Sequence, residues 1–231
     1  MSAGVAPDRL AEPLPVPARA DGRPALRGWL HAAAFAAVLG LAPLVESRAR
    51  TGADRLLCGV YLAGLATNFG TSALFHRLRW APAARRRVRR LDHAAIFLAI
   101  AGTYTAVAGI ALPPRDAAVV LTLVWTGALA GTVMRLTWLD APKWVVAAPY
   151  LVVGWTAVVV LPELLHALGG PGFALLVSSG VVDSLGALAY ARRRPDPWPR
   201  VLGYHELFHL ATVIAAAMRL ALVVFVLLPR H

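Results

Sequence analysis

Tyr204-His205-Glu206-Leu207-Phe208-His209 opens an apolar run, LATVIAAAMRLALVVFVLL, that ends at Leu228. Twenty-five residues in helical conformation extend about 37 Å, enough to cross a hydrocarbon core of about 30 Å. The two histidines stand one turn apart at the mouth of this run. Residues i and i+4 share a helix face, so both imidazoles can reach one metal ion. Read alone, His-Glu-x-x-His is a zinc-protease signature. At the end of an apolar helix it points to a metal site inside a membrane bundle.

The rest of the chain repeats the apolar pattern. Of 231 residues, 58% are hydrophobic and 15% charged, and mean hydropathy is +0.63. A soluble domain carries roughly 25% charged residues. Apolar blocks lie at about 28–46, 56–76, 92–112, 117–137, 144–162, 172–190 and 204–228. Each is long enough to span. Breakers separate them: Pro113-Pro114, Pro142, Gly169-Gly170-Pro171 and Pro195-Asp196-Pro197. The pattern predicts an all-α polytopic membrane protein, a seven-transmembrane helix bundle over 28–228. Residues 1–27 hold five prolines and seven charges and no apolar segment. They read as a flexible cytoplasmic tail, without the apolar core of a signal peptide.

Net charge is +11, from 22 arginines and one lysine against 12 acids. These cations lie between apolar blocks and without interleaved aromatics, which excludes nucleic acid as a partner and leaves membrane lipids. No protein partner is legible. With the N-terminus cytoplasmic, 17 of the 23 cations fall inside and five outside, Arg219 lying within the last block. That bias predicts a multi-pass protein of the plasma (inner) membrane with its N-terminus in and C-terminus out. An odd number of spans fits termini on opposite sides. The single Cys58 excludes an internal disulfide framework and a cysteine-type zinc site.

Ionisable groups within spans are costly and so are functional candidates. On this topology His76 ends span 2, Asp92 begins span 3, and His205 and His209 begin span 7, all at one membrane level. Three imidazoles with an open fourth position suit zinc. Asp92 can orient the metal's water and take its proton. Ser72, four residues before His76, shares its face and can hydrogen-bond Asp92 or a bound carbonyl oxygen. The plainer readings are that Asp92 caps span 3 and Ser72 packs. His31, His166 and His231 show no grouping. His93 faces about 100° away from Asp92 and reads as a supporting or surface residue. Glu206 reads as a structural acid near the start of span 7. Asp183 and Arg219, both deep in spans, are expected to pair.

Three stretches carry a resemblance. Asn68 through His76, Leu91-Asp92-His93 through Thr105, and Arg194-Pro195-Asp196-Pro197 followed by Gly203 through His209 resemble the motifs of the hemolysin III family. That family is similar to the adiponectin and progestin receptors and, more distantly, the alkaline ceramidases. The resemblance implies zinc held by His76, His205 and His209, with Asp92 reaching the metal through water and Ser72 nearby. It departs at Ala106, where the family has proline, at Asp183, where it has an aromatic, and at Arg219, where it has histidine. The chemistry to weigh is therefore zinc-dependent hydrolysis of a lipid amide or ester, with Asp92 and Ser72 as catalytic residues. Against it stands a non-catalytic lipid sensor, receptor-like or cytolytic protein with structural zinc. An intramembrane zinc protease is disfavoured, because no element supplies the third ligand those enzymes use.

Overall fold

The computed structural model describes residues 24–230. The tail expected over 1–27 lies outside the described residues as far as residue 23. From there the backbone is held: the Ala25 amide donates to the Arg200 carbonyl at 2.8 Å and the Leu26 amide to the Val201 carbonyl at 3.2 Å. The chain then forms α1 (Trp29–Arg48), α2 (Gly52–Arg77), α3 (Pro82–Ala111), α4 (Pro114–Thr137), α5 (Lys143–Gly154), α6 (Leu161–Arg192) and α7 (Tyr204–Leu222).

Local chemistry explains where the helices begin. Thr51 and Asp54 form a reciprocal capping box at the start of α2, satisfying two amides that have no partner within the helix. α3 and α4 open on Pro82 and Pro114, whose fixed φ suits the first helical position. Leu39, Leu56, Val119, Leu129, Val152 and Leu185 are exposed, giving the bundle the apolar exterior that lipid requires.

Among the described residues six helical stretches, not seven, are long and apolar enough to cross a membrane. This corrects the seven-transmembrane expectation. The difference lies within 144–192, where two spans separated by a Gly169-Gly170-Pro171 loop were expected. Trp144–Arg192 instead forms one helical stretch of 49 residues. The expected loop shrinks to a kink at Gly169, with φ 67 and ψ 170. Glycine adopts positive φ without penalty, and Pro171 two residues on sits where a helix restarts and no amide is needed. α5 has only 12 residues, about 18 Å against the roughly 30 Å of a hydrocarbon core. A 3-10 turn over Thr156–Val160 follows it. The two arms about Gly169 lie side by side, since the Trp155 indole N–H donates to Ser184 Oγ at 2.9 Å. With the count of seven goes the parity argument that tied it to termini on opposite sides.

α3 is the central helix, with 67% of its apolar segment buried. Its most extensive partner is α2. The two backbones touch: a Cβ at Gly64 would lie 2.8 Å from the Leu98 carbonyl oxygen, and one at Gly102 would lie 2.9 Å from that of Val60. Small residues permit such an approach in a membrane, where packing rather than the hydrophobic effect holds helices together.

Two arginines are paired inside the bundle. Arg219 Nη1 donates to Asp183 Oδ2 at 2.6 Å, the ion pair expected from sequence. Arg135, counted among the loop charges, is fully buried. It donates to the Trp138 and Leu139 carbonyls, at 3.0 and 3.1 Å, and so satisfies the C-terminal end of α4.

Two outcomes follow. Gly64→Leu or Gly102→Leu forces α2 and α3 apart and should lower the thermal midpoint in detergent by several degrees, about 1–3 kcal/mol of overpacking. An unchanged midpoint would show that the helices do not meet there. A double-mutant cycle on Asp183→Ala and Arg219→Ala should give a coupling of about 1 kcal/mol. Additive effects would rule the pair out.

Candidate metal centre

Three helix ends meet at one end of the bundle. Ser72 and His76 lie in the last turns of α2, Asp92 and His93 follow the first turns of α3, and His205 and His209 lie in the first turns of α7. The link between α2 and α3 covers only residues 78–81, so Ser72, His76 and Asp92 are held together by a helical hairpin.

His76, His205 and His209 each present a ring nitrogen, and the three atoms lie within 4.8 Å of one another. Nε2 of His76 and Nε2 of His205 face each other at 3.3 Å. Zinc–nitrogen bonds of about 2.0–2.1 Å at a tetrahedral angle separate two nitrogens by about 3.3–3.4 Å, so the spacing of this pair fits the ion. The rings meet at steep angles: 78° between His76 and His205, 63° between His76 and His209, and 56° between His205 and His209. Converging nitrogens need tilted rings; parallel stacks would turn the lone pairs away. The cluster can chelate a metal ion.

The surrounding backbone fixes the ligands. Glu206 is fully buried, and its carboxylate accepts from the Gly203 amide at 3.0 Å and from Arg27. Asp196 accepts from the Tyr204 amide at 2.8 Å. These bonds satisfy the Gly203 and Tyr204 amides at the start of α7, from whose first turn His205 projects. Glu206 is therefore a helix-end residue, as its position suggested. Gly28, at φ 79, presses the start of α1 onto the site, and a Cβ there would lie 2.8 Å from that of His76. The position needs glycine both for its conformation and for this contact.

Ser72, Asp92, His205 and His209 line one small cavity of about 60 Å³, together with Tyr150 and Tyr190. Asp92 is buried, and Ser72 lines the same cavity near its carboxylate. Asn68, Ile96, Tyr150, Ala187, Phe208 and Thr212 also line a larger, mainly apolar cavity of about 160 Å³. The small cavity thus shares a wall with the larger one, which reaches Asp183 and Arg219.

Two histidines belong to the site beyond the expected set. His31, set aside for want of a grouped partner, is buried and stacks on His209 with centroids 3.9 Å apart and planes 6° apart. The Thr212 hydroxyl hydrogen is committed to the His209 carbonyl at 2.9 Å, so His31 Nε2–H is the donor in the 3.1 Å contact with Thr212 Oγ1. No spacing within α1 signals this, because the grouping arises only where α1 crosses α7. His93 lines the cavity, and its Nδ1 meets Arg135 Nη2 at 2.5 Å. A guanidinium only donates, so Nδ1 accepts and Nε2 carries the hydrogen. His166 is exposed, and His231 lies outside the described residues.

A family model described as Haemolysin-III related matches residues 22–220. The chain is 30% identical over 158 residues to "Hemolysin-3" of Bacillus cereus, covering 68% of this chain and 69% of that protein. It is 31% identical over 119 residues to "Hemolysin-3 homolog" of Bacillus subtilis (strain 168), covering 52% and 53%. The chain thus spans about half the length of this second relative. The family match takes in Ser72, His76, Asp92, His205 and His209 together, and the chain belongs to the hemolysin III family.

Proposed function

We propose that this membrane protein is a zinc-dependent hydrolase of lipid amides or esters, working at the cytoplasmic face of the plasma membrane. The observation that carries the reading is the shared cavity. Two of the three clustered histidines, a buried carboxylate and a serine side chain line one small cavity, and that cavity shares a wall with a larger apolar one suited to an acyl chain. The arginine bias supports the cytoplasmic placement.

Zinc, held by His76, His205 and His209, would supply Lewis acidity, lowering the pKa of a water and polarising a carbonyl. Asp92 accepts the proton of the attacking water and returns it to the departing amine or alkoxide. Ser72 turns its hydroxyl toward the carbonyl oxygen and steadies the negative charge that develops there. Water adds across the amide or ester bond, giving a carboxylic acid and an amine or alcohol. The acyl chain lies along the apolar cavity, where Leu65, Ile100 and Val107 exclude water.

A cytolytic or sensor role with structural zinc is the second reading. Its cytolytic form is favoured by the names of the two Bacillus relatives. Both readings require the metal, so turnover separates them.

Purified wild type should hold about one zinc per chain, and His76→Ala or His205→Ala should hold almost none. Asp92→Ala should keep the metal and lose about 10²–10⁴-fold in the rate of short-chain ceramide or ester hydrolysis. Absence of turnover by wild type across a panel of lipid amides and esters would overturn the hydrolase reading. Lysis of erythrocytes by the same preparation would then support the cytolytic one.

A further inference from the structure

The apolar cavity has a second polar end. Along α7 Arg219 lies ten residues beyond His209, about 15 Å at about 1.5 Å per residue. Along α6 Asp183 lies seven residues from Tyr190, about 10 Å; the Tyr190 ring sits against that of His205, with centroids 5.5 Å apart. Asp183, Ser179, Ser184 and Arg219 all line the cavity wall there. Between the two ends the lining is mainly apolar, including Leu65, Ile100, Val107 and Leu176.

The hydrogen-bonding inventory of this far end is incomplete. Arg219 Nη1 serves Asp183 Oδ2 at 2.6 Å and Ser179 Oγ at 3.4 Å. The serine hydrogens are committed to their own helix, Ser179 to the Leu176 carbonyl and Ser184 to the Gly180 carbonyl, each at 2.7 Å. Arg219 donates through Nη1 alone, so its Nη2 has no acceptor among the described residues at this end of the cavity, and an unmet donor in apolar surroundings is costly.

We infer that the Asp183–Arg219 end of the cavity is a specificity site for a hydroxyl group carried near the far end of a lipid acyl chain. The pair is already charge-balanced. A carboxylate would leave a net negative charge in apolar surroundings, and a methyl end would leave the guanidinium donor unmet. A hydroxyl both donates and accepts; it donates to the Asp183 carboxylate and accepts from Arg219. The separation of about 10–15 Å corresponds to roughly eight to twelve carbons, at about 1.25 Å of advance per C–C bond of about 1.5 Å. The inference rests on the lipid-hydrolase reading only for what occupies the metal end of the cavity.

The test compares decanoate, 3-hydroxydecanoate and 10-hydroxydecanoate in equilibrium binding to the purified full chain in lipid nanodiscs. Wild type should bind 10-hydroxydecanoate about tenfold more tightly than the other two, a hydrogen bond to a charged group being worth at least that. Asp183→Leu/Arg219→Leu, which removes both charges together, should bind all three alike. Equal affinities in wild type, no binding of any probe, or a preference that persists in the double variant would each overturn the inference. The comparison with 3-hydroxydecanoate needs no variant, so it holds if the double variant fails to fold. Zinc content of the same samples separates the two readings. Metal present without the hydroxyl preference defeats only this inference, and the preference without metal defeats only the hydrolase reading.

Discussion

Three imidazole nitrogens within 4.8 Å of one another, at the buried end of a membrane bundle, are the constraint on which the rest of the structure depends. Each neutral imidazole offers one donor and one acceptor. Rings tilted at 56° to 78° around a common point bring acceptors together. Gathering them out of water is costly unless a cation or hydrogen bonds compensate. The surrounding features serve that gathering. The short α2–α3 link, the backbone contact at Gly64 and Gly102, the capped start of α7 and the fit of Gly28 against His76 all reduce the freedom of the ligands. A metal site gains from ligands and supports set before the ion arrives.

Polar and apolar chemistry are separated along the bundle. Asp92, Ser72 and the histidines occupy one end, an apolar cavity follows, and a charge-balanced pair closes the far side. This layout supports the proposed reading of a lipid site, in which the chain and the head group would be held at different places. Arg135 belongs to the same economy of buried charge. It spends its donors on the open carbonyls after α4 and on His93, and thereby fixes which nitrogen of that histidine carries hydrogen.

Much of this was legible in the residues. Long apolar blocks between proline and arginine clusters mark helices unmistakably, because length and hydropathy are local properties. The common level of His76, Asp92, His205 and His209 came from helix direction alone, and the Asp183–Arg219 pair from the cost of burying either group singly. The span count failed where a local rule met a tertiary outcome: Gly169-Gly170-Pro171 reads as a loop, yet glycine allowed the turn to occur within a single residue. His31 was invisible for the opposite reason. Its partner lies on a helix 178 residues away in sequence, and only packing brings the rings together. Arg135 looked like a loop cation because its neighbours Trp138 and Leu139, whose carbonyls it serves, carry no charge.

The most direct measurement is X-ray absorption at the zinc edge of the purified, unmutated protein. The account predicts nearest neighbours of nitrogen and oxygen at about 2.0–2.1 Å, with outer-shell scattering that requires three imidazoles. A spectrum without imidazole scattering, or a protein that holds no metal when purified and reconstituted with zinc, would contradict it.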